Sequence, residues 1–228
     1  MADYGELLRR VSIFEGLEAD SIQNLSRDLR PVEFPKDTLI VGQDDHGDSL
    51  YIIQSGRVKV VLYGDSGREV ILTIFRGGDF FGEMSLLDGE PRSANVIALE
   101  PTVALVLARE DFQRHLESRP NAALRVLEEM SKRLRHADAV IGNLALLDVY
   151  GRVARILIDL ARKEGESQDE GIMIRERPTQ QDLASMIGTS RETVSRVLSE
   201  FQRRGFLSMQ GKSILLSHGF TEQLGDGT

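Results

Sequence analysis

Thr189-Ser190-Arg191-Glu192-Thr193-Val194-Ser195-Arg196 is the stretch on which the reading of this chain turns. Ahead of it lies Thr179-Gln180-Gln181-Asp182-Leu183-Ala184-Ser185-Met186-Ile187-Gly188. Thr179 is a helix cap answered three residues on by Asp182, and Leu183, Met186 and Ile187 form an apolar helical stripe. Gly188 stops that helix, because glycine accepts the left-handed backbone of a tight turn between helices. A second helix then starts on Ser190. It buries Val194, Val197, Leu198 and Phe201 and exposes Arg191, Glu192, Ser195 and Arg196. A helix-turn-helix presents the first residues of its second helix to the DNA major groove. There arginine can pair with guanine O6 and N7, and glutamate can accept from cytosine N4. The plainer reading is a helical hairpin with a charged face. The cap, the turn glycine and the Arg-Glu pair together favour DNA.

Composition bounds the rest. The 228 residues suffice for two modest domains with cores of their own. The chain has no cysteine, which excludes disulfides, thiolate zinc sites and cysteine-ligated iron–sulfur clusters. That usage fits a reducing compartment, and a cytoplasmic protein is expected. No segment approaches the roughly twenty apolar residues of a membrane helix, and Met1-Ala2-Asp3-Tyr4-Gly5-Glu6 lacks the parts of a signal peptide. The net charge of −8 runs against DNA binding only in total. Between Pro178 and Lys212, Arg191, Arg196, Arg203, Arg204 and Lys212 outnumber Asp182, Glu192 and Glu200, and the local patch governs attraction to DNA. The acidic remainder predicts modest, salt-sensitive non-specific binding.

Residues up to about Leu29 read as helical, through Leu7, Leu8 and Val11 and then Ile22, Leu25 and Leu29. From Pro31 to Leu107 short apolar runs recur at Thr38–Val41, Leu50–Ile53, Val58–Leu62, Val70–Phe75, Ala94–Leu99 and Val103–Leu107, parted by glycine-rich turns. This is the pattern of a β-sandwich or barrel. Past Pro120 a long helix is expected. Leu127, Met130, Leu134, Ala137, Ile141 and Leu144 follow spacings of 3, 4, 3, 4 and 3. Such a heptad seam pairs a helix with its copy in a parallel homodimer. Packing of this helix on its own domain is the alternative. Asp148 caps the next helix, Val149–Arg162, and Lys163–Glu170 reads as an exposed loop.

A second informative stretch is Phe80-Phe81-Gly82-Glu83-Met84-Ser85-Leu86-Leu87-Asp88-Gly89-Glu90-Pro91-Arg92-Ser93-Ala94. A glycine before a short helix leaves free backbone N–H groups for an anion. Arg92 adds a planar cation, and Ser93 a hydroxyl and an N–H. Glu83 can accept from a sugar hydroxyl. The set suits one cyclic phosphate with its ribose. A surface Arg92–Glu83 pair closing a loop is the other explanation of those two residues. His46, His115, His136 and His218 show no ligand spacing and read as surface or cap histidines, which leaves no metal site and no haem.

These residues carry a resemblance over nearly the whole chain. With Phe81-Gly82-Glu83, Pro91-Arg92-Ser93-Ala94, Gly142-Asn143-Leu144-Ala145-Leu146-Leu147-Asp148-Val149 and Ser190-Arg191-Glu192-Thr193-Val194, the sequence resembles bacterial regulators of the cyclic AMP receptor protein/FNR superfamily. The resemblance implies an α+β fold in three parts. Residues 1–119 would form a jelly-roll-like β-roll that binds a cyclic nucleotide, residues 120–147 a dimerisation helix, and residues 148–228 a winged helix-turn-helix. Gly82 and Glu83 would then hold the ribose and Arg92 and Ser93 the cyclic phosphate, with Leu72 and Thr73 bordering the base. Thr179, Gln181 and Ser190 would touch DNA phosphates, Arg191, Glu192 and Arg196 would read bases, and Gly211-Lys212 would tip the wing. RNA polymerase is the implied protein partner, although Glu164–Gly171 shows no transferable contact motif.

At one place the chain departs from the pattern. Where the cyclic AMP receptor offers adjacent Thr and Ser to adenine, this chain has Ala137 and Asp138. Aspartate is an acceptor only. Guanine has adjacent donors at N1 and N2, so cyclic GMP stands beside cyclic AMP as the effector. The expected function is therefore a homodimeric transcription regulator, switched by a cyclic nucleotide, on a near-palindromic DNA site. The alternatives are a ligand-independent regulator of the same fold and a cyclic-di-GMP-responsive one. An enzyme is not expected, for no nucleophile–base pair or metal cluster accompanies Glu83 and Arg92.

Overall fold

The alternation of short apolar runs with glycine turns becomes two antiparallel sheets in the N-terminal unit. The structure is a computed structural model that describes residues 4–220, and the chain divides into two units, Met1–Ala137 and Asp138–Thr228. The first unit opens with α1 (Gly5–Leu8), a 3-10 turn (Ser12–Phe14) and α2 (Ala19–Asp28). Eight strands follow: β1 (Arg30–Phe34), β2 (Leu39–Val41), β3 (Ser49–Ser55), β4 (Arg57–Tyr63), β5 (Glu69–Arg76), β6 (Phe80–Phe81), β7 (Asn95–Ala98) and β8 (Thr102–Ala108), with α3 (Glu83–Asp88) between β6 and β7. They form sheets of order β1-β8-β3-β6 and β2-β7-β4-β5. Val41, Ile53, Val58, Phe81 and Val96 make one small core. Leu50, Ile52, Leu105 and Leu107 sit in a larger one with the helical residues Leu8, Phe14, Ile22, Leu25 and Phe112.

All six expected strands are present. Two more, β1 and β6, carry too little apolar alternation to be read from sequence. Most of β1 is exposed. It is an edge strand, where Pro31 costs no ladder bond. Also unanticipated is α4 (Arg109–Ser118), whose buried Phe112 and His115 are one helical turn apart. His115 thereby corrects the surface reading. It is only 5% exposed, edge-on to Phe14 at 5.4 Å, and its Nδ1 faces Arg119 Nη1 at 3.4 Å. Burial, reinforced by the Arg119 charge, lowers its pKa from 6.5 to about 4.

The long helix α5 runs Pro120–Leu146. In the second unit α6 (Val149–Glu164) starts where Asp148 accepts from Gly151 N, as expected. Then come β9 (Glu166–Gln168), β10 (Gly171–Ile174), α7 (Gln180–Ile187), α8 (Arg191–Arg203), β11 (Leu207–Gln210) and β12 (Ser213–Ser217), with strand order β11-β12-β10-β9. The expected loop at Lys163–Glu170 is corrected. The end of α6 and β9 occupy it, and β9 pairs with β10 while exposing all three residues. Backbone pairing without a buried face leaves no hydrophobic signal. Val153, Leu157, Leu183, Val194, Leu198, Phe201, Ile214 and Leu216 are among the residues of this unit's core.

Candidate functional site

The cradle in the first unit is built from the backbone outward. Gly82 caps α3 with φ 89° and ψ 5°, a left-handed conformation. A Cβ there would lie 2.6 Å from Arg92 Nη1 and 2.9 Å from the Ser49 carbonyl oxygen, so glycine is required twice over. Arg92 is 5% exposed. Its Nη1 donates to Gly82 O at 2.6 Å and its Nη2 to Ser49 O at 2.8 Å. Its backbone N–H donates to Asp45 O at 2.9 Å. A side chain at Gly47 would collide with the guanidinium stem. Desolvation lowers the Arg92 pKa, yet an arginine so placed stays cationic at neutral pH. Two of its five N–H donors are thus spent on holding its orientation, and the others remain for an anion.

Glu83 is 2% exposed. It is not paired with Arg92 on the surface, which corrects that alternative. Its Oε1 accepts from Arg133 Nη1 at 2.9 Å, and its Oε2 has no hydrogen-bond partner. Burial raises its pKa against the pull of Arg133. A buried acceptor without a donor is costly, and a sugar hydroxyl is a donor that would satisfy it. Arg133, next to the seam position Leu134, carries no motif that singles it out in the sequence. It also donates to Phe80 O at 2.7 Å and lies over the Phe75 and Phe80 rings, 4.9 and 4.6 Å from their centroids. The available signal was its spacing of seven from Val126, a buried residue of the same helix.

Ser93 is exposed, with Oγ 3.6 Å from Met84 Sδ. Leu72 and Thr73 lie on β5. Thr73 pairs with Val60 and Ile71 with Val61, which leaves Leu72 at a bulge, a device that re-aims side chains. Ala137 and Asp138 are exposed on α5, and no hydrogen bond or ion pair of Asp138 occurs among the described residues. Leu127, Leu134 and Ile141 are 62%, 65% and 64% exposed, and Leu144 is exposed as well. Met130 instead packs partly against the core of its own unit.

In the second unit the capping box is formed. Thr179 Oγ1 accepts from Asp182 N at 3.1 Å, and Asp182 Oδ2 accepts from Thr179 N at 3.2 Å. Gly188 adopts φ 67° and ψ 41°. Ser190 caps α8 by accepting from Thr193 N at 3.2 Å. Arg191, Glu192 and Arg196 are exposed on its first turns, and Thr179, Gln181 and Ser190 are exposed beside them. Backbone N–H donation, with the Ser190 hydroxyl, lowers the Glu192 pKa. That carboxylate stays ionised as an acceptor. Lys212 is exposed in the turn between β11 and β12, next to Gly211 at φ 61°.

Among the described residues no group of acidic or histidine side chains is placed to hold a metal ion. No described helix is long and apolar enough to cross a membrane.

A β-roll holding a buried arginine at a glycine cradle, in one chain with a capped helix-turn-helix and a β-hairpin wing, defines a class: the effector-controlled DNA-binding regulator. Residues 31–119 match the cyclic nucleotide-binding domain family, and residues 151–218 match the Crp-like helix-turn-helix domain family. The chain belongs to the CRP/FNR family of transcription regulators. It is 35% identical over 212 residues to the CRP-like cAMP-activated global transcriptional regulator of Mycobacterium tuberculosis, covering 93% of this chain and 95% of that one. It is 32% identical over 186 residues to the cAMP-activated global transcriptional regulator CRP of Escherichia coli, covering 81% and 88%. Among solved structures, the c-di-GMP responsive global regulator CLP of Xanthomonas campestris superposes with a TM-score of 0.73 at 30% identity, covering 88% of this chain and 99% of that one.

Proposed function

We propose that this protein is a homodimeric transcription regulator that binds one cyclic nucleotide per β-roll and a near-palindromic DNA site. The observation that carries the reading is the presence of Arg92 and Glu83, close enough to feel each other's charge, in one cradle. One is a buried cation with donors to spare, the other a buried carboxylate with an unpartnered oxygen. A cyclic phosphate answers the first and a ribose hydroxyl the second. Gly82 and Ser93 supply backbone and hydroxyl donors, and Leu72 and Thr73 border the base.

The exposed Leu127, Leu134, Ile141 and Leu144, with Ala137, support a two-chain seam. Residues at heptad spacing left in water on a long helix are satisfied by a copy of the same helix. Met130 serves the seam and the domain core together. A cyclic nucleotide shifts the balance between seam arrangements only by its differential affinity for them. Twofold symmetry then calls for two half-sites one helical turn apart. Arg191, Glu192 and Arg196 read bases, while Thr179, Gln181, Ser190 and Lys212 hold phosphates. RNA polymerase is the protein partner of this reading.

The named relatives are cAMP-activated, which supports cyclic AMP. The lone acceptor Asp138 supports a guanine base. Calorimetric titration with cyclic AMP, cyclic GMP and cyclic di-GMP, followed by operator binding with and without each, tests the proposal. Nucleotide-dependent DNA affinity is the expected result. Equal DNA affinity in all conditions selects a ligand-independent regulator. A response to cyclic di-GMP alone moves the effector to the dinucleotide for which the Xanthomonas regulator is named.

A further inference from the structure

Arg109 opens α4 and lies 62 residues along the chain from Gly47. Its backbone N–H donates to Asp48 O at 2.8 Å. Its Nη2 donates to Gly47 O and, at 3.0 Å, to Ser85 O. Nη1 reaches Leu86 O at 3.5 Å, an oxygen that also accepts from Gln113 Nε2 at 3.3 Å. One guanidinium therefore ties the Gly47-Asp48 turn to α3. Those are the two segments that Arg92 bridges through Ser49 O and Gly82 O. The anchors alternate along the chain: Arg109 holds 47 and 48 while Arg92 holds 49, and Arg92 holds 82 while Arg109 holds 85 and 86. Gly47 is also the residue packed on the Arg92 stem.

We propose that Arg109 is a positioning residue of the phosphate cradle, one that fixes the turn and α3 so that Arg92 and the Gly82 backbone stand ready for the anion. The proposal rests on the cyclic-nucleotide reading of that cradle. A charge-assisted bond repays its full strength only when its donor needs no reorganisation on binding. Without Arg109, the Gly47 carbonyl turns to water, the Ser85 and Leu86 carbonyls keep their donors Gly89 N and Gln113 Nε2 within the same unit, and the spacing between the two Arg92 anchors is no longer set from outside.

The test compares Arg109→Met, Arg109→Lys and Arg92→Ala in the full chain. Binding of cyclic AMP and cyclic GMP is titrated directly. Adenosine and guanosine, which lack the phosphate, are measured by competition, with urea unfolding to verify the fold. Arg109→Met is expected to weaken the cyclic nucleotides about tenfold, the lower end of what losing an outer-shell support costs a bound ion, and to leave the nucleosides unchanged. Arg109→Lys, which keeps one cationic donor, falls between parent and Met and serves if Met does not fold. Equal losses for nucleotides and nucleosides would make Arg109 a general structural support and overturn the proposal, as would unchanged nucleotide binding. Cyclic nucleotides held as tightly by Arg92→Ala as by the parent would instead overturn the cradle reading itself.

Discussion

Side-chain hydrogen bonds that shape the reading surface span three or four residues: Thr179 to Asp182, Ser190 to Thr193, Arg196 to Thr193, Arg204 to Glu200. Around the cradle they span 43 residues from Arg92 to Ser49 and 50 from Arg133 to Glu83. The helix-turn-helix is thus a local construction whose shape is written turn by turn. The cradle exists only when strands distant in sequence have paired, and loop closure must be met before any of its contacts forms. A substitution in the first region should act on that region alone. One in the second can act through any element that holds the sheets and helices in place.

The seam is the sharpest way to break this contrast, because nothing local explains it. Leu134→Glu would place an unpaired charge between two chains at a cost of about 3–5 kcal/mol. The expected outcome is a monomer by sedimentation, and an intact dimer would return Leu134 to the solvent face.

His115 probes the non-local side next. Its folded pKa of about 4 lies below the ordinary 6.5, so the folded unit favours the neutral ring. The stability this carries is complete above pH 6.5 and is lost as pH falls toward about 4. A fall from 6.5 to about 4 corresponds to a loss of about 3 kcal/mol. Urea midpoints of the parent and of His115→Gln, compared from pH 7 to pH 4, should diverge by that amount. Parallel curves would mean that the ring titrates as if exposed.

Asp138 sharpens the contrast at the effector. A carboxylate facing guanine N1–H and N2–H gains about 1.5–3 kcal/mol over adenine, roughly ten- to a hundredfold in affinity. The cyclic GMP to cyclic AMP ratio should therefore drop in Asp138→Ser. A ratio that does not move, or a parent that prefers cyclic AMP, makes Asp138 a solvated flank of the helix.

On the local side, Arg191→Ala should cost about 1–3 kcal/mol at one guanine and relax selection there. A uniform loss on all DNA would mark Arg191 as a phosphate contact. The smallest effect belongs to the capping box. Thr179→Ala should destabilise by about 1 kcal/mol and leave cyclic AMP and cyclic GMP affinities as they were. A change in those affinities would show that the two regions are not separable.

Legibility follows the same division. Thr179, Gly188 and Ser190 announced their roles because caps and left-handed turns depend on residues within one helical turn. The six strands with alternating apolar residues were readable for a similar reason. The strands β1, β6 and β9 were not, since edge pairing and a fully exposed strand leave no periodic burial. His115 reads as a surface group and Arg133 goes unremarked in the sequence because their partners, Phe14 and Glu83, lie 101 and 50 residues away.

Residue chemistry and spacing alone determined the helix-turn-helix, the strand-rich N-terminal unit, the long helix with its heptad stripe, and the glycine–arginine segment suited to a phosphate. Only the tertiary structure decided that Arg92 is propped by Ser49 and Gly82, that Arg133 rather than Arg92 pairs with Glu83, and that Arg109 grips the turn and α3. The physical reason is range. A cap or a periodic stripe is set by neighbours along the chain, whereas a buried ion pair is set by whichever charge the sheets and helices bring within about 3 Å, the reach of a hydrogen bond.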